Sequence, residues 1–586
     1  MDVGRSKRDG VVRLSLSPHL ALGPSLTQVL GAMAATSRLE TLPGVDVSMA
    51  RCAFGLDVYD RLLPHVATTF AHAAYVHIDL SHALLPSDGL VYLVKHLLAV
   101  HFRMDGCRLR LTLTGLRLTL ADVEALRHLA PVLDGLCLRE SIASASVARA
   151  FVDSLGAFSE LVVLDLTKIF FARRDAHLFQ RFLAHVTTPT PQTPCVWPFL
   201  ASLVLDHNAF PVDDVVALLS ALMYSTSLTH LSLAYSLPSV DTIVGGWLLR
   251  TILRNPASSL RSLNLAGLSL QHDIASTLAN ARPDQLLLLA SPSLVTADIP
   301  DGAFVALPHS TVVQASTTSS APLSLRVRPS IVQVVGSTPT FTAVLLPGHG
   351  IGFIDRDAVG EALTMRETST TACLSELVLD DLKPLGILPP LLHLFRVPTE
   401  LRSLRLRRYQ ATTTEIEALV ETCSGLRALD LKACRLNDVT VLLPALQHLE
   451  QLNLYKNLIG AVGAMRLARA LETARVLRSL NVSCNLIGEL GLAALAMALE
   501  TNRTLEHITL DDLSLQARFG NVLLRVEPLR MEAKWACVQA LTWRHQRSAT
   551  STRAVTIYSQ LLDPTLMQHI FAFAGRAICR TICERP

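Results

Sequence analysis

Apolar residues between positions 477 and 505 follow two different spacings. The first part, Leu477-Arg-Ser-Leu480-Asn-Val482, alternates with a period of two, which is typical of a short strand. After Asn485 and Gly488 the leucines recur at intervals of three and four residues, which is typical of a helix. The segment therefore predicts one strand followed by one helix. Its first part has the sequence pattern L-x-x-L-x-L-x-x-N, with Val482 at the third leucine position.

The same unit recurs along the chain. From Leu374 onward, successive units start 27, 25, 23, 28 and 28 residues apart. Weaker copies extend the array toward the first residues, and roughly sixteen to eighteen turns are predicted in total. The predicted units start at or near Leu14, Leu42, Tyr75, Leu133, Leu161, Leu200, Leu228, Leu260, Phe341, Leu374, Leu401, Leu426, Leu449, Leu477 and Leu505.

Repetition of one strand and one helix predicts an α/β solenoid. A single turn cannot bury its own apolar face, so its leucines must stack on those of the neighbouring turns. Helices are wider than strands, and the array should therefore curve into a horseshoe with parallel strands on its concave face and helices outside. The asparagine after each strand is expected to bond the backbone of adjacent turns, a position that Cys434 fills less well.

Changes in the quality of the repeat predict four segments. Residues 1–283 carry degenerate repeats, and 284–340 form an irregular or degenerate segment. Residues 341–515 carry the repeats that match best. Residues 516–586 lack the repeat and are predicted to form a helical cap over the last turn.

The motifs at 426–515 resemble leucine-rich repeats of the ribonuclease-inhibitor type, the type also found in Nod-like receptors and Ran GTPase-activating proteins. The resemblance is strong from Leu374 to Leu515 and diluted over most of the remaining chain. It implies a right-handed leucine-rich-repeat horseshoe that binds other proteins, without naming a partner. The sequence contains no G-x-x-x-x-G-K-[ST] motif, so the nucleotide-binding module of Nod-like receptors is not predicted.

A second resemblance concerns the tail. Leu562-Asp-Pro-Thr-Leu-Met-Gln-His-Ile-Phe is similar to the first helix of F-box motifs, which recruit ubiquitin-ligase cores. This segment is predicted to be helical, with Asp563 and Pro564 at its start and Gly575 at its end. Two alternatives to a plain scaffold therefore stay open: a substrate adaptor of a ubiquitin ligase, and a repeat protein that regulates a GTPase.

Composition narrows the class of protein. Apolar residues make up 50% of the chain, yet we find no apolar run long enough to cross a membrane. The first residues lack a secretory pattern and the eleven cysteines are dispersed, so we expect free thiols and a location in the cytoplasm or nucleus. The net charge of +3 favours no nucleic-acid partner. No catalytic, cofactor or metal motif is found, and no enzyme activity is predicted.

Charged side chains cluster at positions predicted to face the concave surface of the best repeats. A basic band lies between acidic turns that contain Glu376, Asp380, Asp381 and Glu506. Arginine and tyrosine are enriched among residues that dominate interface energies. The sequence therefore predicts a site for a protein with an acidic surface. Its candidate residues are Arg402, Arg405, Arg407, Arg408, Arg427, Lys432, Tyr455, Lys456 and Arg478.

Overall fold

In a computed structural model, the chain divides into two compact units, residues 1–400 and 401–586. Side chains outside the repeats are described at few positions. The described residues are 2–5, 12–15, 44–53, 73–86, 88–101, 108–169, 178, 182, 199–210, 218, 227–237, 259–270, 304–306, 311–314, 322–327, 331–337, 340–346, 350–358, 362–363, 374–383, 388, 401–423, 425–510, 524–526, 577–579 and 581–583.

The first unit is built on a ladder of parallel strands. Each repeat strand pairs with that of the next turn from β2 to β10, and β1 pairs antiparallel with β2. The strands are β1 (Asp2–Arg5), β2 (Val12–Ser15), β3 (Val45–Ser48), β4 (Tyr75–Asp79), β5 (Arg108–Thr112), β6 (Leu133–Cys137), β7 (Val163–Asp165), β8 (Ser202–Val204), β9 (His230–Ser232) and β10 (Ser262–Asn264).

Helices lie between successive strands in the described part of the first unit. They are α1 (Gly89–His101), α2 (Leu120–Leu129) and α3 (Ala145–Ser154), the last followed by a 3-10 turn at Leu155–Ala157. Helix α2 begins with a capping box, in which Thr119 and Asp122 bond each other's backbone amides. These are the short outer helices that the leucine spacing predicts.

An antiparallel sheet lies within the first unit, between two strands of the repeat ladder. Its strands are β11 (Phe304–Ala306), β12 (Thr311–Gln314), β13 (Pro322–Val327), β14 (Ile331–Ser337), β15 (Phe341–Leu346), β16 (Gly350–Asp355) and β17 (Ala362–Leu363), with a 3-10 turn at Arg356–Ala358. The next strand, β18 (Glu376–Val378), returns to the ladder and pairs parallel with β10 in unbroken register.

This sheet corrects one predicted repeat. The unit expected to start at Phe341 is instead the hairpin β15–β16, in which Phe341 pairs with Asp355 and Leu346 with Gly350. Its alternating apolar residues do form a strand, but the two-residue period is common to parallel and antiparallel pairing. The other predicted segment boundaries stay predictions.

The second unit repeats the ladder with shorter turns. Its strands are β19 (Ser403–Arg405), β20 (Ala428–Asp430), β21 (Gln451–Asn453), β22 (Ser479–Asn481), β23 (His507–Thr509), β24 (Leu524–Val526), β25 (Ala577–Cys579) and β26 (Thr581–Cys583). Its helices are α4 (Thr413–Thr422), α5 (Ala461–Thr473) and α6 (Gly488–Thr501), with 3-10 turns at Thr440–Leu442 and Pro444–Gln447.

Strands β19 to β23 stack in one register, so leucines of equivalent positions form columns. Leu404, Leu429, Leu452 and Leu480 pair side by side and are buried, as is Ile508 at the end of the column. Leu480 has no exposed surface, which confirms the register predicted from the best repeat. The strand residues on either side of each leucine point the opposite way and form the strand face.

Buried asparagines bridge successive turns, as the sequence predicted. The Asn457 side-chain amide donates to the carbonyls of Leu431 and Leu454, each at 2.9 Å, and its oxygen accepts from the amides of Cys434 and Leu436. Every polar atom of this buried side chain is therefore paired with backbone at a bend. Cys434, in the equivalent place one turn earlier, offers only its thiol, 2.9 Å from the Leu406 carbonyl.

Two glycines at the start of α6 serve different purposes. Gly488 has a φ of +63°, a conformation that favours glycine and that allows the tight turn into the helix. A side-chain carbon added to Gly491 would lie 2.6 Å from a methyl carbon of Ile487 and 2.7 Å from the Cβ of Ala464. Gly491 therefore permits close packing of α6 on α5.

Two parts of the ladder do not follow from the predicted repeats. The turn at Arg108–Thr112 is not among the predicted units, although Leu109, Leu111 and Leu113 carry the repeat spacing and are buried. Strand β26, close to the last residue, pairs parallel with β23 and extends the ladder of the second unit. The predicted tail helix, at 562–575, lies outside the described residues.

Replacing Leu480 with aspartate should strongly destabilise the protein. A charge in this fully buried column would lack any partner, and the expected cost exceeds about 4 kcal/mol. Chemical denaturation followed by circular dichroism measures the loss. The matched control is Leu84→Asp, because Leu84 is 70% exposed and its replacement should change the unfolding free energy by less than about 0.5 kcal/mol. Equal effects of the two substitutions would contradict the assigned register.

Candidate protein-binding face

The strand face of the second unit carries three columns of side chains. The register pairs Ser403 with Ala428 and Arg405 with Asp430, and it continues through β21 to β23. A third column follows the strands and contains Arg407, Lys432 and Tyr455, all partly exposed. Because adjacent strands lie about 4.8 Å apart, side chains in one column are in reach of their neighbours.

The nine predicted residues separate into three locations. Four belong to the strand face: Arg405, Arg407, Lys432 and Tyr455. Three come directly before a strand begins, at one edge of the ladder: Arg402, Arg427 and Arg478. Two occupy the turn beyond the strands, at the opposite edge, with positive φ: Arg408 and Lys456. The structure therefore brings four of the nine together on the strand face.

Arg407 is held by an ion pair across the strand face. Its Nε and Nη2 atoms both donate to the Asp430 carboxylate, at 2.8 and 2.7 Å. The other oxygen of Asp430 accepts from the backbone amide of Lys432 at 3.0 Å. These bonds fix the guanidinium group and neutralise part of the predicted basic band.

Lys432 and Tyr455 form a second contact on the same face. The Lys432 ammonium lies 4.6 Å from the centre of the Tyr455 ring, within the range of a cation–π interaction. The interaction joins β20 to β21 and keeps an aromatic ring and a cation together at the surface. Such a pair offers both apolar area and positive charge to a bound protein.

Arginines at the edge before the strands are also paired. Arg427 donates to the carbonyl oxygen of His448, and Arg478 forms a 3.0 Å ion pair with Glu506. Burial, together with the nearby positive charge of Arg427, lowers the pKa of the His448 imidazole. These edge residues form their own local contacts and are less suited to the central site.

The strand face of the first unit also carries ion pairs between neighbouring turns. Asp134 is the extra residue of a β-bulge between β5 and β6, and its buried carboxylate accepts two bonds from Arg110, each at 3.0 Å. The Arg110 guanidinium also lies 4.1 Å from the centre of the Tyr75 ring. Arg139 pairs similarly with Asp165 at 2.9 Å. Sequence patterns did not reveal these pairs because each joins different turns of degenerate repeats.

Three acidic residues predicted to face outward on the 374 turn occupy different environments. Glu376 is exposed and accepts a bond from Ser262, whereas Asp380 is only 5% exposed. Asp381 lies in the turn with positive φ, where the Tyr235 hydroxyl donates to its carboxylate. The acidic band is therefore less accessible at this turn than the sequence suggested.

Four histidines lie on the strands of the first unit or in the turns that follow them. His77 and His230 occupy the strand face, and His77 lies between Asp46, at 3.4 Å, and Thr112, at 2.9 Å. His82 and His207 instead occupy turns with positive φ. Within the described ranges, no group of three or more His, Cys, Asp or Glu side chains could hold a metal ion.

Five cysteines whose side chains are described are free thiols: Cys52, Cys137, Cys423, Cys434 and Cys484. Burial raises the pKa of Cys423 to about 11, because the thiolate would lose its hydration. Burial also raises the pKa of Cys137, on the strand face of the first unit, and the adjacent Asp165 carboxylate adds to the effect. Neither group has the low pKa of a catalytic cysteine.

The parallel ladder, its leucine columns and its bridging asparagines define a leucine-rich-repeat solenoid. No family model matches the chain, and no curated protein is similar to it at a significant level. None of the helices in the described part is both long and apolar enough to cross a membrane.

Several solved structures resemble the chain weakly. An internalin from Listeria monocytogenes is 13% identical, with a TM-score of 0.28, over 80% of this chain and 91% of that one. The yeast Rad7–Elc1 complex contains a chain that is 12% identical, with a TM-score of 0.34, over 85% of both chains. A leucine-rich-repeat protein of Leptospira interrogans is 11% identical, with a TM-score of 0.29, over 85% of this chain and all of that one. The fold assignment rests on the repeat geometry itself.

Cys423 should resist alkylation in the folded protein. Iodoacetamide reacts with thiolates, and a pKa of about 11 leaves Cys423 protonated at pH 8, behind a surface that is only 3% exposed. Mass spectrometry after timed labelling should find Cys423 modified only once the protein is denatured, whereas the partly exposed Cys484 reacts in the native state. Equal native rates for the two thiols would contradict the burial of Cys423.

Proposed function

We propose that the protein is a non-catalytic interaction scaffold, which binds an acidic protein surface on the strand face of its second unit. The observation that carries this proposal is the grouping of Arg405, Arg407, Lys432 and Tyr455 on three adjacent turns, all partly exposed. The backbone N–H and C=O groups of these strands are already hydrogen-bonded within the ladder, so a partner protein must be recognised through these side chains.

Pairing within the face supports binding rather than opposing it. Asp430 holds the Arg407 guanidinium in one orientation, and Tyr455 packs beside the Lys432 ammonium. Side chains that are already ordered lose less entropy when a partner binds. Arginine has five N–H donors, so a carboxylate of the partner adds to the Asp430 bonds without replacing them.

Reversing one charge tests this site. Arg405→Glu should weaken binding of the partner by roughly tenfold to a hundredfold, because an attraction becomes a repulsion at a partly buried contact. Partners are captured from cell extract on the immobilised full chain, identified by mass spectrometry and measured individually by calorimetry. The affinity of the wild-type protein should also fall as salt rises from 0.1 M, where charges are screened beyond about 10 Å.

The matched control is Arg475→Glu, because Arg475 is an exposed arginine in the turn between α5 and β22, away from the strand face. It should retain the partner with unchanged affinity. Circular dichroism melts confirm that both variants fold. An unchanged affinity of folded Arg405→Glu protein for every captured partner would refute this site, although the scaffold itself would stand.

A ubiquitin-ligase adaptor is the second candidate, supported by the F-box-like sequence Leu562–Phe571, which lies outside the described residues. Deleting the tail would also remove β26 from the ladder. The sharper test keeps that strand and substitutes Leu566→Glu and Ile570→Glu. Loss of ligase-core proteins from the captured set, with partners of the strand face retained, supports the adaptor; an unchanged set rejects it. Regulation of a GTPase has no structural support among the described residues.

A further inference from the structure

An aspartate or asparagine ends the strand in three adjacent turns of the second unit. These residues are Asp430, Asn453 and Asn481, which lie side by side in the register of the ladder. The side-chain oxygen of each accepts from the backbone amide two residues further on, at 3.0 to 3.1 Å. We name Asn453 and Asn481 the amide pair.

Hydrogen bonding to the backbone fixes the orientation of both side-chain amides. A backbone N–H group can only donate, so the atom that it meets in Asn453 and Asn481 must be the oxygen. The NH2 group of each side chain is therefore turned away from the backbone amide that holds the oxygen. Asn481 is held by a second bond, because the Ser483 hydroxyl also donates to the same oxygen, at 2.7 Å.

In other turns the second polar atom of this side chain meets a group of the preceding turn. Asp430 accepts from Arg407 there, and on the first unit Asn264 donates to the Ser232 hydroxyl at 2.9 Å. The amide pair differs, although both of its side chains are partly buried. Its NH2 groups donate to no group in the part of the chain that the structure describes.

The neighbouring turns explain why these NH2 groups have no partner among the described residues. Asn453 lies beside Asn481, and one NH2 group cannot accept a hydrogen bond from another. Asp430, on the other side of Asn453, already accepts two bonds from the Arg407 guanidinium. Two oriented donors are therefore available to an oxygen atom of another molecule.

The spacing of the two donors matches a carboxylate. Equivalent atoms on adjacent strands lie about 4.8 Å apart, and an N–H···O bond is about 2.9 Å long. Bonds from two nitrogens at that spacing can end on one oxygen or on the two oxygens of one carboxylate. An ionised carboxylate contains only acceptors, so it can satisfy both NH2 groups at once.

The charges around the amide pair also favour an anion. On this face, strands β21 and β22 carry only uncharged side chains up to Tyr455 and Ser483. The Lys432 ammonium, 4.6 Å from the centre of the Tyr455 ring, supplies positive charge next to the pair. The nearest acidic side chain in the column, Asp430, is neutralised by Arg407. A bound carboxylate would therefore be attracted rather than repelled.

We propose that Asn453 and Asn481 together bind an aspartate or glutamate carboxylate of the partner protein. This inference rests on the proposed function, and it extends the site from the basic residues of β19 and β20 onto β21 and β22. A carboxylate is favoured over a neutral carboxamide for two reasons. Hydrogen bonds to a charged acceptor are stronger, and a carboxamide offers only one oxygen.

Fluorescence anisotropy with two defined peptides tests the proposal. The full chain is titrated against fluorescein-labelled octaglutamate and octaglutamine, both amidated at the C-terminus, so that only the first carries carboxylates. The wild-type protein should bind octaglutamate at least tenfold more tightly. Asn481→Asp should raise the Kd for octaglutamate at least tenfold. The new side chain can keep the bond to the Ser483 amide, as Asp430 does with the Lys432 amide, but it replaces the NH2 donor with an anion.

Asn437→Asp is the matched control, because Asn437 is exposed in the turn after β20, away from the strand face, and gains the same charge. Its Kd should equal that of the wild-type protein. Asn481→Ser removes the donor without adding charge and should weaken binding about fivefold. Since this loss is not a long-range charge effect, it should persist in 0.5 M salt. Circular dichroism confirms that each variant folds.

Three results would overturn the role of the amide pair: equal affinity for the two peptides, equal Kd values of Asn481→Asp and Asn437→Asp, or a wild-type Kd for Asn481→Ser. Arg405→Glu, measured with octaglutamate, separates this inference from the proposed function. If only Arg405→Glu weakens binding, the amide pair is rejected and the basic site stands. If only the Asn481 variants weaken it, the amide pair stands and Arg405 is rejected.

Discussion

Everything in this protein depends on the fact that one turn cannot bury its own leucines. A fully buried leucine contributes about 1.5–3 kcal/mol, but only if the next turn covers it. Strands must therefore stay in register from turn to turn, and Leu404, Leu429, Leu452 and Leu480 form one buried column. Asn457 stabilises the same register at the bend, because its four hydrogen bonds reach backbone of two successive turns.

The inserted antiparallel sheet shows how strong this constraint is. Strand β10 ends at Asn264 and β18 begins at Glu376, yet the two pair directly, as neighbouring turns do elsewhere. Closing a loop about four times longer than one repeat costs only about 1.2 kcal/mol more, which a pair of matched leucines offsets. Tyr235 reinforces the junction, since its ring lies against Gly267 and its hydroxyl bonds Asp381.

The same periodicity that buries the leucines also determines which side chains lie at the surface. Alternate strand residues must face away from the core, and this places Arg405 and Arg407 on one face. Outer helices need only one apolar side, and α5 has Arg466 and Arg469 exposed, although Val462 and Met465 are exposed as well. Helix α6 departs further from that rule, because Leu490 and Met497 on its outward side are apolar and exposed.

The spacing of apolar residues within one turn was enough to predict the solenoid class, the position of most strands and the burial of Leu480. Which strands pair depends instead on how distant parts of the chain pack together. Phe341 lies in a strand, as its alternation predicted, but the two-residue period does not specify a partner, and the strand joins an antiparallel hairpin. The ion pair between Arg407 and Asp430 likewise joins two turns 23 residues apart. Local patterns fix which way a side chain points; the neighbour it meets depends on how the turns stack.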